Sequence, residues 1–187
     1  MKVLMLNGSA NAKGNTYTAL EEIGKQLENE GIEYEIFQIG AEPVRDCIGC
    51  GQCTENGCTF TDDKVNAFIA KAKEADGFVF GTPVYYAHPS GRIQAFLDRV
   101  FYSSGRAFSF KPGASVAVAR RGGTTASFDA VSYTHVLSPE VQRPFLFPPQ
   151  NILASKPYFS PDSALSAIPQ HLVPLHLSLL HAHCSNT

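Results

Sequence analysis

The chain has 187 residues, 44% of them hydrophobic and 17% charged, with a formal net charge of −2. That length suits one ordinary domain with a real core, and the composition is globular rather than disordered. The near-neutral balance, without blocks of like charge, argues against nucleic acid and against a membrane surface as partners. The apolar opening stops at Asn7-Gly8, too short for a signal h-region or a spanning helix, so a cytoplasmic protein is expected.

The predicted elements follow in chain order. "KVLMLNGS" reads as a buried strand feeding a turn. "NTYTALEEIGKQLENEG" has Tyr17, Leu20, Ile23 and Leu27 at helical spacing and closes at Gly31. "EYEIFQIG" alternates and reads as a second strand, followed directly by a cysteine-rich loop. "TDDKVNAFIAKAKEADG" is a second helix, with Thr61 or Asp62 as the expected N-cap and Val65, Phe68, Ile69 and Ala72 inward. "GFVFGTPVYY" is a continuously apolar strand, as expected when helices cover both faces. "SGRIQAFLDRVF" is a third helix and "ASVAVARRGG" a fourth strand.

Alternating strands and helices with short connections predict an α/β, doubly wound parallel sheet. Ligands in such sheets bind outside the carboxyl ends of the strands, near the switch point. Three loops leave those ends: Asn7–Thr16, Thr82–Ser90 and Arg120–Ser127. Their contents can be read as one site.

The first, "NGSANAKGNTYT", fits neither G-x-G-x-x-G nor the P-loop pattern. It offers hydroxyls at Ser9, Thr16 and Thr18, the Asn15 amide, and a helix N-terminus. That combination suits a monoester phosphate better than a triphosphate; the alternative is an ordinary capped strand–helix connection. In the second loop Pro83 fixes the strand end, and Tyr85 and Tyr86 give flat apolar surface with polar tips. The alternative is a pair of core or interface aromatics. His88 is read as a solvated loop residue. In the third loop Gly122 and Gly123 permit close main-chain approach to a ring, and Arg120 or Arg121 could steady an anion. The alternative there is a surface turn. No side chain is assigned a catalytic role.

Four of the five cysteines lie in "DCIGCGQCTENGC", as Cys47-x2-Cys50-x2-Cys53-x4-Cys58. Zinc knuckles are usually separated by a longer arm, and this crowding is closer to ferredoxin-type runs. Three readings stay open: a [4Fe–4S] cluster, metal-free thiols, or zinc.

Taken together, "NGSANAKGNT", "GTPVYYAHPSGRIQAFLDR" and "ARRGGTTASFD" resemble the flavodoxin-like NADPH-dependent FMN reductases. Within them they resemble the branch that includes the iron–sulfur flavoproteins. The resemblance covers about residues 1–130 and implies a flavodoxin-like fold with FMN as cofactor. It implies a phosphate held by Ser9, Ala10, Asn15 and Thr16, and an isoalloxazine lined by Thr82, Pro83, Val84, Tyr85 and Tyr86. It also implies that Cys47, Cys50, Cys53 and Cys58 bind a [4Fe–4S] cluster. The expected activity passes electrons from NAD(P)H or ferredoxin through FMN to a quinone or other small acceptor, in a homo-oligomer. Rival readings are a flavodoxin-like electron carrier without turnover of its own and a zinc-stabilised binding module.

Residues 131–187 differ in kind. They hold none of the 15 glycines but eight of the 12 prolines and five of the six histidines. This stretch is expected to be an atypical Pro/His/Leu-rich tail, in which the last strand and helix of the fold are missing or replaced. A frame error or a join near codon 131 and a genuine divergent extension are the two explanations.

Overall fold

The computed structural model describes residues 1–131. Strands β1 (Lys2–Asn7), β2 (Glu33–Gln38), β3 (Gly77–Tyr85) and β5 (Gly113–Val118) alternate with helices α1 (Asn15–Asn29), α2 (Val65–Glu74) and α3 (Gly91–Ser104). A two-residue strand, β4 (His88–Pro89), folds back on β3, and α4 (Thr124–Val131) follows β5. The parallel sheet runs in the order β2-β1-β3-β5, with β4 antiparallel to the end of β3. Strand order therefore reverses at β1, whose neighbours are β2 and β3. This is the flavodoxin-like arrangement, whose topological switch point lies between β1 and β3.

Period-two alternation along the central strands sorts the core into two layers. Leu4 and Leu6 pair in register with Phe78 and Phe80 and share one cluster with Phe68 and Ile69 of α2 and Ile93, Phe96, Leu97 and Val100 of α3. Phe37, Phe68, Phe78, Phe80, Phe96, Phe101 and Phe108 form a continuous chain of ring contacts there. The opposite face carries Met5, Val79 and Gly81 and receives Leu20 of α1, whose methyl carbon stands 2.9 Å from where a Cβ on Gly81 would lie. Gly24 likewise lets α1 close on the Tyr34 ring.

Two details depart from the sequence expectation. Neither Thr61 nor Asp62 caps α2: Asp63 Oδ1 accepts from Val65 N at 3.1 Å, and Asp62 pairs instead with Arg45 at 2.8 Å. The third loop is also shorter than predicted, because Gly123, at φ +91°, ends it and α4 begins at Thr124. Val131, the first residue of the expected tail, is the last of α4 and is fully buried. The remaining expectations for the tail lie outside the described residues. Among the described residues no helix is long and apolar enough to cross a membrane.

Candidate functional site

The carboxyl ends of β1 and β3 are tied together by their own backbone. Gly8 N–H donates to Gly81 O at 2.8 Å, an approach that leaves no room for a Cβ on Gly8. Buried Asn7 and half-buried Gln38 then fix the loop: Asn7 Nδ2 donates to Gln38 Oε1 at 2.5 Å, Asn7 Oδ1 accepts from Ser9 N at 3.1 Å, and Gln38 Nε2 donates to Ser9 O at 2.7 Å. Ser9 Oγ in turn accepts from Asn11 N at 3.1 Å. Helix α1 starts at Asn15 behind Gly14, and no side chain caps it. Its first amides, of Asn15, Thr16 and Tyr17, meet no acceptor among the described residues. An open, uncapped helix start beside a hydroxyl-bearing loop suits an anion such as a phosphate.

The second loop is a tight hairpin. Val84 pairs with Pro89 and Tyr85 with His88, and the two turn residues, Tyr86 (φ 49°) and Ala87 (φ 65°), are both left-handed. That is the type I′ geometry, which favours Asn-Gly; a tyrosine and an alanine there cost of order 1–2 kcal/mol each. The turn presents Tyr86 wholly to solvent and Tyr85 more than half exposed. Its base is tied to β1: Thr82 Oγ1 accepts from Ser90 N, and Ser90 Oγ donates to Gly8 O, both at 3.4 Å. Ser90 also caps α3 by accepting from Ile93 N. The third loop closes on the hairpin tip, where a Cβ on Gly123 would stand 2.4 Å from Ala87 Cα. Gly122, Arg120 and Arg121 are exposed on the same loop.

The structure therefore gathers the expected residues at one edge. Ser9, Ala10, Asn15 and Thr16 lie around the start of α1, Thr82, Pro83, Val84, Tyr85 and Tyr86 on the hairpin, and Gly122 and Gly123 against it. Sequence reasoning missed Asn7, Gln38 and Ser90, which shape this edge through contacts distant in the chain. A polar residue closing an apolar strand was the only signal for Asn7.

The cysteine loop fills the connection between β2 and α2. Gly49, Gly51 and Gly57 all have positive φ, and Thr54 and Gly57 exchange two backbone hydrogen bonds of 3.0 Å. Side chains from two helices then hold the loop. Asn66 of α2 accepts from Cys58 N at 2.9 Å and donates to Cys58 O at 2.8 Å and Phe60 O at 3.1 Å. Arg99 of α3, fully buried, pairs with Asp63, donates from Nη2 to Phe60 O at 3.1 Å, and donates from Nε to Cys58 Sγ at 3.3 Å. Burial works to lower the Arg99 pKa, but the bonds to Asp63 and Cys58 outweigh it and raise it. Neither partner was singled out from sequence, although Arg99 stands three residues after Phe96 on an otherwise apolar stripe.

Cys47, Cys50, Cys53 and Cys58 line one pocket with Phe60, Arg99 and Tyr102, and all four are free thiols. Burial, then the neighbouring Cys58, Cys50 and Cys47, push the Cys53 thiol up. Among the described residues no three metal-ligating side chains are gathered closely enough to hold a single ion. Four cysteine thiols lining one pocket, with glycines of positive φ between them, are a donor set that suits a sulfur-ligated metal group.

Residues 1–146 match the NADPH-dependent FMN reductase family. An iron-sulfur flavoprotein of Methanocaldococcus jannaschii is 38% identical over 100 residues, 53% of this chain and 51% of that protein. One of Archaeoglobus fulgidus is 36% identical over 99 residues, 53% of this chain and 48% of that protein. The chain thus spans about half the length of these curated relatives. Among solved structures it is similar to RosB, crystallised with 8-demethyl-8-formylriboflavin-5′-phosphate, with a TM-score of 0.55, 16% identity and coverage of 94% of this chain and 74% of that one. That likeness is one of fold. With more than three quarters of its length matched, the chain belongs to the NADPH-dependent FMN reductase family.

Proposed function

We propose that this protein is an FMN-dependent oxidoreductase that carries a [4Fe–4S] cluster. It would take electrons from NAD(P)H or ferredoxin and deliver them to a quinone or another small acceptor, in the cytoplasm and as a homo-oligomer. The observation that carries the reading is the convergence of four cysteines on one pocket in a chain whose phosphate-type loop and exposed tyrosine hairpin share one sheet edge. When bound, FMN supplies hydride and one-electron chemistry and the cluster a one-electron store.

The chain's own residues bind and orient. The amides of Asn15, Thr16 and Tyr17, the Ser9 hydroxyl and the Ala10 backbone hold the phosphate. Thr82, Pro83, Val84, Tyr85 and Tyr86 supply backbone donors and an apolar wall for the ring, and Gly122 and Gly123 bring main chain close to it. Arg120 and Arg121 add positive charge beside a site that gains negative charge on reduction. Cys47, Cys50, Cys53 and Cys58 are the four thiolate ligands. No general acid or base is required of the side chains, because the cofactor carries the chemistry.

The test is an FMN titration by fluorescence quenching, followed by NADPH oxidation with a soluble quinone as acceptor. Saturable binding near one FMN per chain together with turnover supports an enzyme. Binding without turnover indicates an electron carrier that needs a protein partner. Absence of FMN binding contradicts the proposal.

A further inference from the structure

We propose that Arg99 is a positioning residue for the cysteine pocket, whose buried guanidinium donates a charge-assisted hydrogen bond to Cys58 Sγ and thereby raises the reduction potential of the cluster held there. The inference rests on the cluster reading above.

An arginine with no exposed side-chain surface, on the same helix as buried Phe96, Leu97 and Val100, calls for an explanation. One use is plain: the pair with Asp63 and the bonds to Phe60 O and Arg45 O staple the loop to α3. The Nε–H is not needed for that purpose. Cys58 is already fixed through its backbone, since Asn66 binds both its N–H and its carbonyl. What Nε reaches is the sulfur itself, at 3.3 Å. A neutral thiol is a weak acceptor, whereas a thiolate bound to iron is negatively charged and accepts well. The bond therefore bears on the charge of the sulfur more than on its location.

The sign follows from charge. Reduction adds one electron to the cluster and its thiolates and breaks no bond. A cation and a donor at one sulfur favour the more negative state, because hydrogen bonds to the sulfurs and local charge set these potentials. Asp63 offsets part of that effect, being the counter-ion of the same guanidinium.

The test is a mediated dithionite titration, followed by electron paramagnetic resonance, of the full chain purified without oxygen. Wild type is compared with Asp63→Asn and with the double variant Arg99→Met/Asp63→Asn, which leaves no buried charge unpaired. In the double variant the equilibrium constant for reduction should fall by about tenfold, or about 59 mV for one electron. Asp63→Asn should shift it the opposite way, upward, because the guanidinium then acts without its counter-ion. A purely structural staple predicts no such opposition of sign. A double variant that loads its cluster at the wild-type potential overturns the proposal, and so does a potential in Asp63→Asn that is unchanged or lower. Should the double variant fail to fold, the direction in Asp63→Asn decides. Wild type without iron and sulfide sinks the cluster reading and this proposal with it; iron-loaded variants with unmoved potentials sink this proposal alone.

Discussion

Gly8 marks how close two strands come at the phosphate edge. A Cβ there would lie 2.5 Å from Ile93 Cδ1 and 2.7 Å from Gly81 O. The isoleucine tip can turn away, but the carbonyl is held by the Gly8 N–H at 2.8 Å. Gly8→Ala is therefore expected to cost about 1–3 kcal/mol, the usual range for overpacking, read as a lower urea midpoint. FMN affinity should fall with it, because the shift displaces Ser9 and the start of α1. Single residues of this kind were only partly legible in the sequence. Ser9, Asn15 and the four cysteines stand in recognisable patterns. Asn7, Gln38, Asn66 and Arg99 act through partners up to 54 residues away, and no local pattern announces such contacts.

Elements tell a similar story with a different balance. Strands and helices of the sheet are legible because burial on two faces imposes apolar runs and helical spacing on them. The hairpin was not, because Tyr86-Ala87 is poor type I′ sequence and takes that shape against local preference. Ala87→Gly should accordingly stabilise the apo protein by about 1 kcal/mol, seen as a higher thermal midpoint. Gly123→Ala should do the reverse, since its positive φ and its contact with Ala87 both exclude a side chain.

Strand β2, at one end of the sheet among the described residues, carries a pH-dependent tie. Glu35 meets Lys71 of α2 at 2.7 Å and Lys2 of β1 at 3.0 Å. The bond from Lys71, reinforced by Lys2 against the opposing effect of burial, holds its carboxyl below the usual glutamate range. A depressed folded-state pKa means stability that is present above the unfolded value and lost as pH falls through the folded one. Glu35→Gln should thus lose about 0.5–1 kcal/mol at neutral pH, discounted for partial exposure. The gap to wild type should close in acid, below the lowered pKa, in urea melts run at both ends of the range.

At the scale of the whole molecule, α3 connects the two candidate centres. Its N-cap, Ser90, touches the phosphate edge through Gly8, and Arg99, nine residues on, touches the cysteine pocket. At 1.5 Å per residue that is about 14 Å along one rigid element. Parallel topology puts the three loops on a common edge, and so the site was legible in outline once the strand order could be inferred. The cysteine pocket was legible as a motif but not as a place, since the wall outside the loop comes from Arg99 and Tyr102 of α3 and the loop is held by Asn66 of α2.

In the proposed function, one chain holds both a flavin and a cluster. Iron, acid-labile sulfide and FMN measured per chain, on protein purified without oxygen, test it most directly. About four iron, about four sulfide and about one FMN are expected per chain, with iron and sulfide lost and FMN kept in Cys58→Ala. Protein that binds FMN but no iron would contradict it, reducing the cysteine pocket to thiols beside a simple flavin reductase.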